Sequence, residues 1–391
     1  MRVLIVLLSL FLLTGCWDRK ELAEIGIVSA ITIDKDTDTN EYTLTSEYLR
    51  PSAQSTLSPS PDESSLKVSV TGKTIDEILL KANKTIDRKS FYAHNKVIVI
   101  SEEIAREGLI PIIDSFQRGK QVRGYVWLAI TKGSDAKTII NTEGNNITPV
   151  SANFLKGLFE NADYNAVGIN MLTYHKKVLG AGVDPLVGVL KREENADKVP
   201  AELVKLSGGA AFKEDKLVGF IDETEVRGYN LVTGEGPVTD RGSLPLPSLL
   251  DEDKLVTLLL KELKSEIKPK VDKNGQISFT IDIHQKARLS GQESTDEFKT
   301  RKEISDYLKD IEKEGEKTIK KEIEMVIDKA QQDFQSDIFG FGRVLNIEQP
   351  KEWQKVKDDW SETFADVNYN VKVDVEIVDS GLTKGPFEPK E

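Results

Sequence analysis

Hydrophobic and polar positions recur with two different periods along this chain, and each change of period predicts a change between strand and helix. Ile25, Ile27, Ile31 and Ile33 fall on one face of a period-two run with Val28, Ala30 and Thr32 on the other, which predicts a strand covered on both sides. Asp34 to Asn40 supplies a turn rich in Asp, Thr and Asn. Alternation resumes over Tyr42 to Leu49, so the two runs form a hairpin. Three prolines and six serines between Pro51 and Ser65 predict a mobile surface loop.

From Leu66 the period switches repeatedly. Leu66 to Val70 reads as a strand, Ile75, Ile78, Leu79, Ala82 and Ile86 recur at helical spacing, and Lys96 to Ile100 is again a strand. The Ser101 hydroxyl is placed to accept from the first free amides of a helix carrying Ile104, Ala105 and Leu109, with Gly108 and Pro111 shaping or interrupting it. Tyr125 to Ile130 is a buried strand. Helices are expected over Ser151 to Phe159 and roughly Tyr174 to Leu190, before a charged run from Arg192 to Pro200.

Leu206 to Phe212 and Lys216 to Ile221 flank Lys213-Glu214-Asp215 as a hairpin, followed by Gly-rich and Pro-rich residues 228–247. Leu255, Leu258, Leu259, Leu260 and Leu263 predict an amphipathic helix, and Ile277, Phe279, Ile281 and Ile283 a strand. Ile304, Leu308, Ile311, Gly315, Ile319, Ile323, Val326, Ala330 and Phe334 form one long apolar stripe. Gly315 costs a helix up to about 1 kcal/mol against Ala, so either the helix packs close to a sheet there or two helices meet at Gly315. Tyr369 to Ile377 closes as a strand, and Pro386 to Glu391 is a frayed tail.

These elements predict a mixed α/β (α+β) multi-domain protein with mixed sheets, packed helices and a long helix in its C-terminal domain. The 391 residues exceed what one hydrophobic core usually holds. The expected division is residues 1–15 as a leader, 16–200 as an N-terminal mixed α/β domain, 201–247 as a hairpin-containing middle region and 248–391 as the C-terminal domain.

Cys16 is the only cysteine, and it follows the apolar run Val3 to Leu13 in the order Leu13-Thr14-Gly15-Cys16. Met1-Arg2 supplies a cationic start, and a run of about eleven residues is too short for the roughly twenty that span a bilayer. The segment reads as a lipoprotein signal cut before Cys16, leaving an N-palmitoyl, S-diacylglycerol cysteine as the mature N-terminus. Two or three acyl chains, each contributing about 0.8 kcal/mol per buried methylene, would hold such a product on a membrane. Removing the leader leaves 52 basic against 65 acidic residues. That balance is expected to repel nucleic acid and anionic headgroups, so attachment would rest on lipid alone, with no polybasic patch to help.

Little in the sequence points to catalysis. Only His94, His175 and His284 exist, in three separate segments, so neither a zinc site nor another metal centre is expected. Leu206-Ser207-Gly208-Gly209 lacks the order of a serine nucleophile elbow. Gly208-Gly209, Gly234-Glu235-Gly236 and Gly340-Phe341-Gly342 lack a phosphate loop's Lys-Ser/Thr and are expected to be turns. Asp34, Asp36 and Asp38 alternate like calcium-loop ligands, but the required Gly and closing Glu are missing, which favours a solvated turn. Trp17 is suited to headgroups or to docking on the protein, while Trp353 and Trp360 are expected as core anchors. No cofactor is expected.

Gly15-Cys16-Trp17-Asp18-Arg19-Lys20-Glu21-Leu22 resembles the start of the Ger(x)C family, the C-subunit lipoproteins of bacterial spore germinant receptors. His94 to Gly108, with His-x-Lys, Glu-x-x-Ala and Gly in order, is similar to a family strand and helix, and Arg123 to Gly133 to its next strand. Gly209 to Gly219 resembles the family hairpin, and Asp337-Ile338-Phe339-Gly340-Phe341-Gly342 with Trp353 and Trp360 its C-terminal signature. Arg118-Gly119-Lys120 departs from the family's acidic residue after Arg. The resemblance implies a non-enzymatic lipoprotein on the outer face of the spore inner membrane, assembling with A and B subunits, with neighbouring receptors as possible further contacts. A lipid-anchored solute-binding protein would instead have two similar lobes around a cleft. A lipid-anchored hydrolase would bring His, Asp or Ser into one pocket.

Overall fold

The computed structural model describes residues 24–50, 64–119, 122–142, 147–194, 197, 200–234, 242–251, 253–293 and 300–379. The Pro51 to Ser65 loop lies outside them apart from its last two residues, and the tail from Pro386 lies wholly outside. Two sheets organise the rest. The first runs β10-β9-β8-β6-β5-β1-β2-β3, with β4 added to β1 and β7 to β6. Its strands are β1 (Ile25–Lys35), β2 (Tyr42–Leu49), β3 (Ser65–Gly72), β4 (Lys89–Phe91), β5 (Val97–Ile100), β6 (Trp127–Thr131), β7 (Ile169–Asn170), β8 (Leu186–Glu194), β9 (Glu202–Lys213) and β10 (Lys216–Ile221). The central strands β1, β5, β6 and β8 are parallel, and antiparallel pairs flank them on both sides.

Helices cover both faces. α1 (Ile75–Ala82), α2 (Glu102–Glu107), α3 (Ile110–Arg118) and α6 (Met171–Leu179) bury Ile78, Ile104, Phe116 and Tyr174 on one side. α4 (Ala136–Asn141) and α5 (Ser151–Glu160) bury Ile139, Ile140, Leu155 and Phe159 on the other. Four-residue apolar runs such as Val97–Ile100, buried throughout, are the expected result for a sheet covered on both faces. In β1 the register shifts between Val28 and Ala30, so Val28 joins Ile31 and Ile33 on one face instead of opposing them. The helix expected over Tyr174 to Leu190 ends at Leu179, because Gly180, Gly182 and Pro185 interrupt it, and Leu186 onward is β8.

The second sheet is β11 (Ser243–Pro247), β12 (Leu255–Val271), β13 (Ile277–Gln292) and β14 (Asn368–Asp379), in that order. Here the amphipathic helix expected at Leu255 to Leu263 is a strand. Val256, Leu258 and Leu260 are fully buried at a spacing of two, and β12 lies between β11 and β13, so tertiary pairing overrides the helical spacing of its leucines. β13 and β14 are parallel, and the crossover between them carries α8 (Arg301–Lys329), a π-helical turn (Ala330–Phe334), α9 (Phe341–Glu348), α10 (Pro350–Val356) and α11 (Trp360–Asp366). α8 starts in a capping box between Thr300 and Glu303 and is one continuous helix through Gly315. Glu312 and Glu316 accept from the amides of Ile377 and Val375 at 2.8 and 3.4 Å, covering part of the open edge of β14.

Of residues 201–247, expected as a separate middle region, β9 and β10 extend the first sheet and β11 belongs to the second. α7 (Glu223–Thr233) occupies part of the stretch read as Gly-rich and Pro-rich, and its Val226 and Tyr229 enter the core of the second sheet. That core also takes in Leu186, Ala211 and Ile221 from the first sheet. A Cβ on Gly228 of α7 would stand 2.5 Å from the Glu322 carbonyl of α8, whereas one on Gly315 would meet Leu258 at an ordinary 3.5 Å. Gly228→Ala should therefore lower the unfolding free energy by about 1–3 kcal/mol. Gly315→Ala should raise it by up to about 1 kcal/mol. Urea unfolding of the two variants checks both signs.

Candidate functional site: a carboxylate clasp between the sheets

Asp337 is an acid in an otherwise apolar and aromatic stretch, and the fold buries it to 1 % exposure. Its Oδ1 accepts from the amides of Gly340 and Phe341 at 2.8 and 3.0 Å, and its Oδ2 from the amide of Gly342 at 2.8 Å and the Trp360 indole Nε1 at 3.0 Å. The three amides open α9, so the carboxylate caps it through the turn that Gly340 makes at φ +81°. Glycine is required at Gly342, where a Cβ would come within 2.6 Å of the Trp360 ring. The Gly340-Phe341-Gly342 turn expected from sequence is thus also a cradle for a buried carboxylate.

The loop is fastened to the first sheet through the segment before β8. The Asp337 carbonyl accepts from the Asp184 amide at 2.8 Å, and the Gly182 carbonyl from the Arg343 amide at 2.8 Å. The Asp184 carboxylate accepts from the amides of Glu214 and Asp337 at 2.8 and 3.1 Å. Ser336 Oγ lies 2.6 Å from the Phe212 carbonyl, to which it donates, and 3.1 Å from Asp184. Gly182, at φ +70°, could carry no Cβ without striking the backbone of Gly342 at 2.4 Å. A second fastening joins α7 to α8: Arg227 forks onto Glu322, and Lys329 Nζ reaches both oxygens of Glu225 at 2.8 and 2.9 Å.

Two further buried carboxylates cap helices from a distance. Glu47 of β2, fully buried, accepts from the amides of Ser151 and Ala152 at 2.9 Å each, because Val150 at the N-cap of α5 offers no acceptor. Asp34, expected in a solvated turn, instead accepts from Ala136 and Lys137 at the start of α4, while Asp36 holds the turn through the amides of Asp38 and Thr39. Ser101 stands at the N-cap of α2, yet its hydroxyl makes no capping bond. Burial raises Asp337 to about 6, against the hydrogen bonds from Gly342, Phe341 and Trp360, and the nearby Asp184 charge adds to the rise. Burial raises Asp34 to about 6 as well, and Asp184 in the same direction.

The sequence-predicted residues divide clearly. Leu13, Thr14, Gly15, Cys16, Trp17, Asp18 and Arg19 lie outside the described residues. Trp353 and Trp360 are core residues packed edge to face at 5.3 Å. His94 is exposed beside Phe91, His175 lines a cavity of about 490 Å³ between α3 and α6, and His284 borders another of about 400 Å³ on β13, 3.2 Å from Asp374. The three therefore have separate surroundings. Among the described residues, no group of three or more His, Cys, Asp or Glu is arranged to hold a metal ion, and no helix is long and apolar enough to cross a membrane. The two sheets differ in strand number and order, unlike the similar lobes of a solute-binding protein. Sequence reasoning missed Asp184 and Glu47. Glu47, beside Ser46, and Asp184, in a Gly-rich turn, carry no local signal that separates them from surface acids.

Comparison with known proteins bears on this architecture. A family model described as "Spore germination protein N-terminal domain" matches residues 18–192, and one described as "Spore germination B3/GerAC like, C-terminal" matches residues 207–381. The chain belongs to the Ger(x)C family. Among its relatives in Bacillus subtilis (strain 168), spore germination protein B3 is 26 % identical over 96 % of this chain and 97 % of that protein. Spore germination protein KC is 26 % identical over 98 % and 96 %, respectively. A crystal structure of the GerBC protein shares the fold, with TM-score 0.54 and 22 % identity, covering 89 % of this chain and 96 % of that one. In this Ger(x)C chain the clasp formed by Asp337 to Gly342 with Trp360 lies within the C-terminal match.

Trp360→Phe removes one of the four donors to Asp337 and part of the ring against Gly342, and should cost about 2–3 kcal/mol in urea unfolding. For pH, a folded value raised to about 6 means that the native state takes up a proton before the unfolded chain does. The stability tied to that group is present below its ordinary value of 3.8 and is lost as pH rises through about 6. Asp337→Asn should therefore flatten the pH dependence of unfolding across that window, leaving the shares of Asp34 and Asp184, as urea titrations at stepped pH would measure.

Proposed function

We propose that this Ger(x)C chain is a non-enzymatic C subunit of a spore germinant receptor, acting in germination by assembling with membrane-embedded A and B subunits in nutrient sensing. Cys16 anchors it by lipid on the outer face of the spore inner membrane. The observation that carries the reading is the likeness to spore germination proteins along nearly the whole chain, both family models included. The order Leu13-Thr14-Gly15-Cys16 behind an apolar run supports the anchor, because acyl chains supply the membrane affinity that a net charge of −12 does not.

The clasp suits a subunit that works by contact. Hydrogen bonds between the Asp184 and Asp337 segments join the two sheets, so a partner gripping one sheet also positions the other. Replacing Cys16 with Ala is expected to release the chain from spore membranes and to slow nutrient-triggered germination. Fractionation and germination assays that both match the parent would refute the anchored-subunit reading.

A further inference from the structure

We propose that the first domain is electrically polarised along β1, and that its basic end, beside the emerging N-terminus, rests on anionic phospholipid headgroups. The inference depends on the lipid-anchored reading above. β1 begins at Ile25, and its first residues pair in parallel with β4, Ile25 lying opposite Lys89. Because β5 and β6 run parallel to β1, and β2 antiparallel, one end of the sheet collects the starts of β1, β4, β5 and β6 and the finish of β2. Arg50 follows β2 there, Lys84 and Arg88 precede β4, Lys89 begins it, and Arg123 precedes β6. None of these five cations makes an ion pair with another described residue, and Arg88 alone of them is half-buried. Only Glu24 and Asp87 oppose them in these same segments.

The other end has the opposite sign. Asp36, Asp38 and Glu41 lie in the β1–β2 turn, Glu102 and Glu103 follow β5, and Asp135 follows β6. Lys35, Arg106 and Lys137 stand there too, each already paired with an acid, and Lys132, which follows β6, lies over the Phe220 ring instead. The overall balance therefore conceals a separation: the chain is acidic on average, yet the end next to the anchor is basic and unpaired.

Distance favours the same assignment. Seven residues separate Cys16 from Glu24, and even fully extended the stretch reaches roughly 30 Å. A body tethered that closely presents one end to the membrane, and an anionic surface attracts the basic end and repels the acidic one within a Debye length. Tyr125, 78 % exposed and two residues beyond Arg123, places an amphipathic ring at that end, suited to a headgroup layer. This revises the sequence-based expectation that no basic patch assists attachment.

The mature lipidated protein carries its lone cysteine blocked, so an added cysteine can be labelled selectively. A donor dye would be placed at His94→Cys, in the exposed loop before β5, or at Asp38→Cys in the opposite turn. Energy transfer to acceptor-labelled headgroups would then be read on vesicles of phosphatidylcholine alone and with phosphatidylglycerol. The expected result is higher transfer from the His94 site than from the Asp38 site. The gap should widen with phosphatidylglycerol, shrink in about 1 M salt, and lose its lipid dependence in Lys84→Glu/Arg88→Glu/Lys89→Glu. Retention on vesicles with equal transfer from both sites, or with no response to phosphatidylglycerol, overturns the headgroup contact and leaves the anchor standing. Failure of the lipidated protein to be retained on either vesicle overturns the anchored reading and this one with it.

Discussion

The burial of a single carboxylate, Asp337, sets the terms on which the two halves of this protein meet. An acid removed from water is costly unless donors converge on it, and here three backbone amides and an indole do so. Meeting that requirement fixes the turn at Gly340, the start of α9 and the position of Trp360. The same loop binds the Gly182 to Asp184 segment, so the crossover of the second sheet is registered against the strand that β8 contributes to the first. Apolar packing then continues across the seam, with Leu186, Ala211 and Ile221 sharing a core with α7 and α8.

Similar logic recurs inside the first domain. Glu47 and Asp34 are acids on strands that reach across the sheet to cap α5 and α4, whose own N-cap residues make no side-chain bond. A helix end that borrows its cap from a strand is held in position as well as satisfied. Glycine contributes where backbones must approach closely, at Gly182 against Gly342 and at Gly228 against Glu322. Buried charge and absent side chains together set the spacing of the elements, while the aliphatic core supplies most of the burial.

For a member of a spore germination family this construction has a functional meaning. The sheets are unlike in topology and share no repeated lobe, so the molecule resembles a shaped spacer more than a clamp around a small ligand. Its fastened seam holds the two sheets in one defined arrangement, so that surfaces on both are presented together.

Much of this was legible in the sequence. Strong periodicity marked β2, β13 and the length of α8, and the family resemblance was carried by residue order. The departures share a cause. Leu255 to Leu263 satisfies helical spacing and strand alternation alike, and only pairing with β11 and β13 selects the strand. The bulge at Val28 exchanges the two faces of β1 for a reason visible only in its register with β2. Asp34, Asp184, Glu47 and Asp337 could not be told from surface acids, because burial and donor geometry come from segments up to 153 residues apart. Local preference and pattern are properties of neighbours along the chain, and the sequence by itself determined those. Which acids are buried, which sheet each hairpin joins and which end of the domain is basic follow from neighbours in space, and only the tertiary structure decided them.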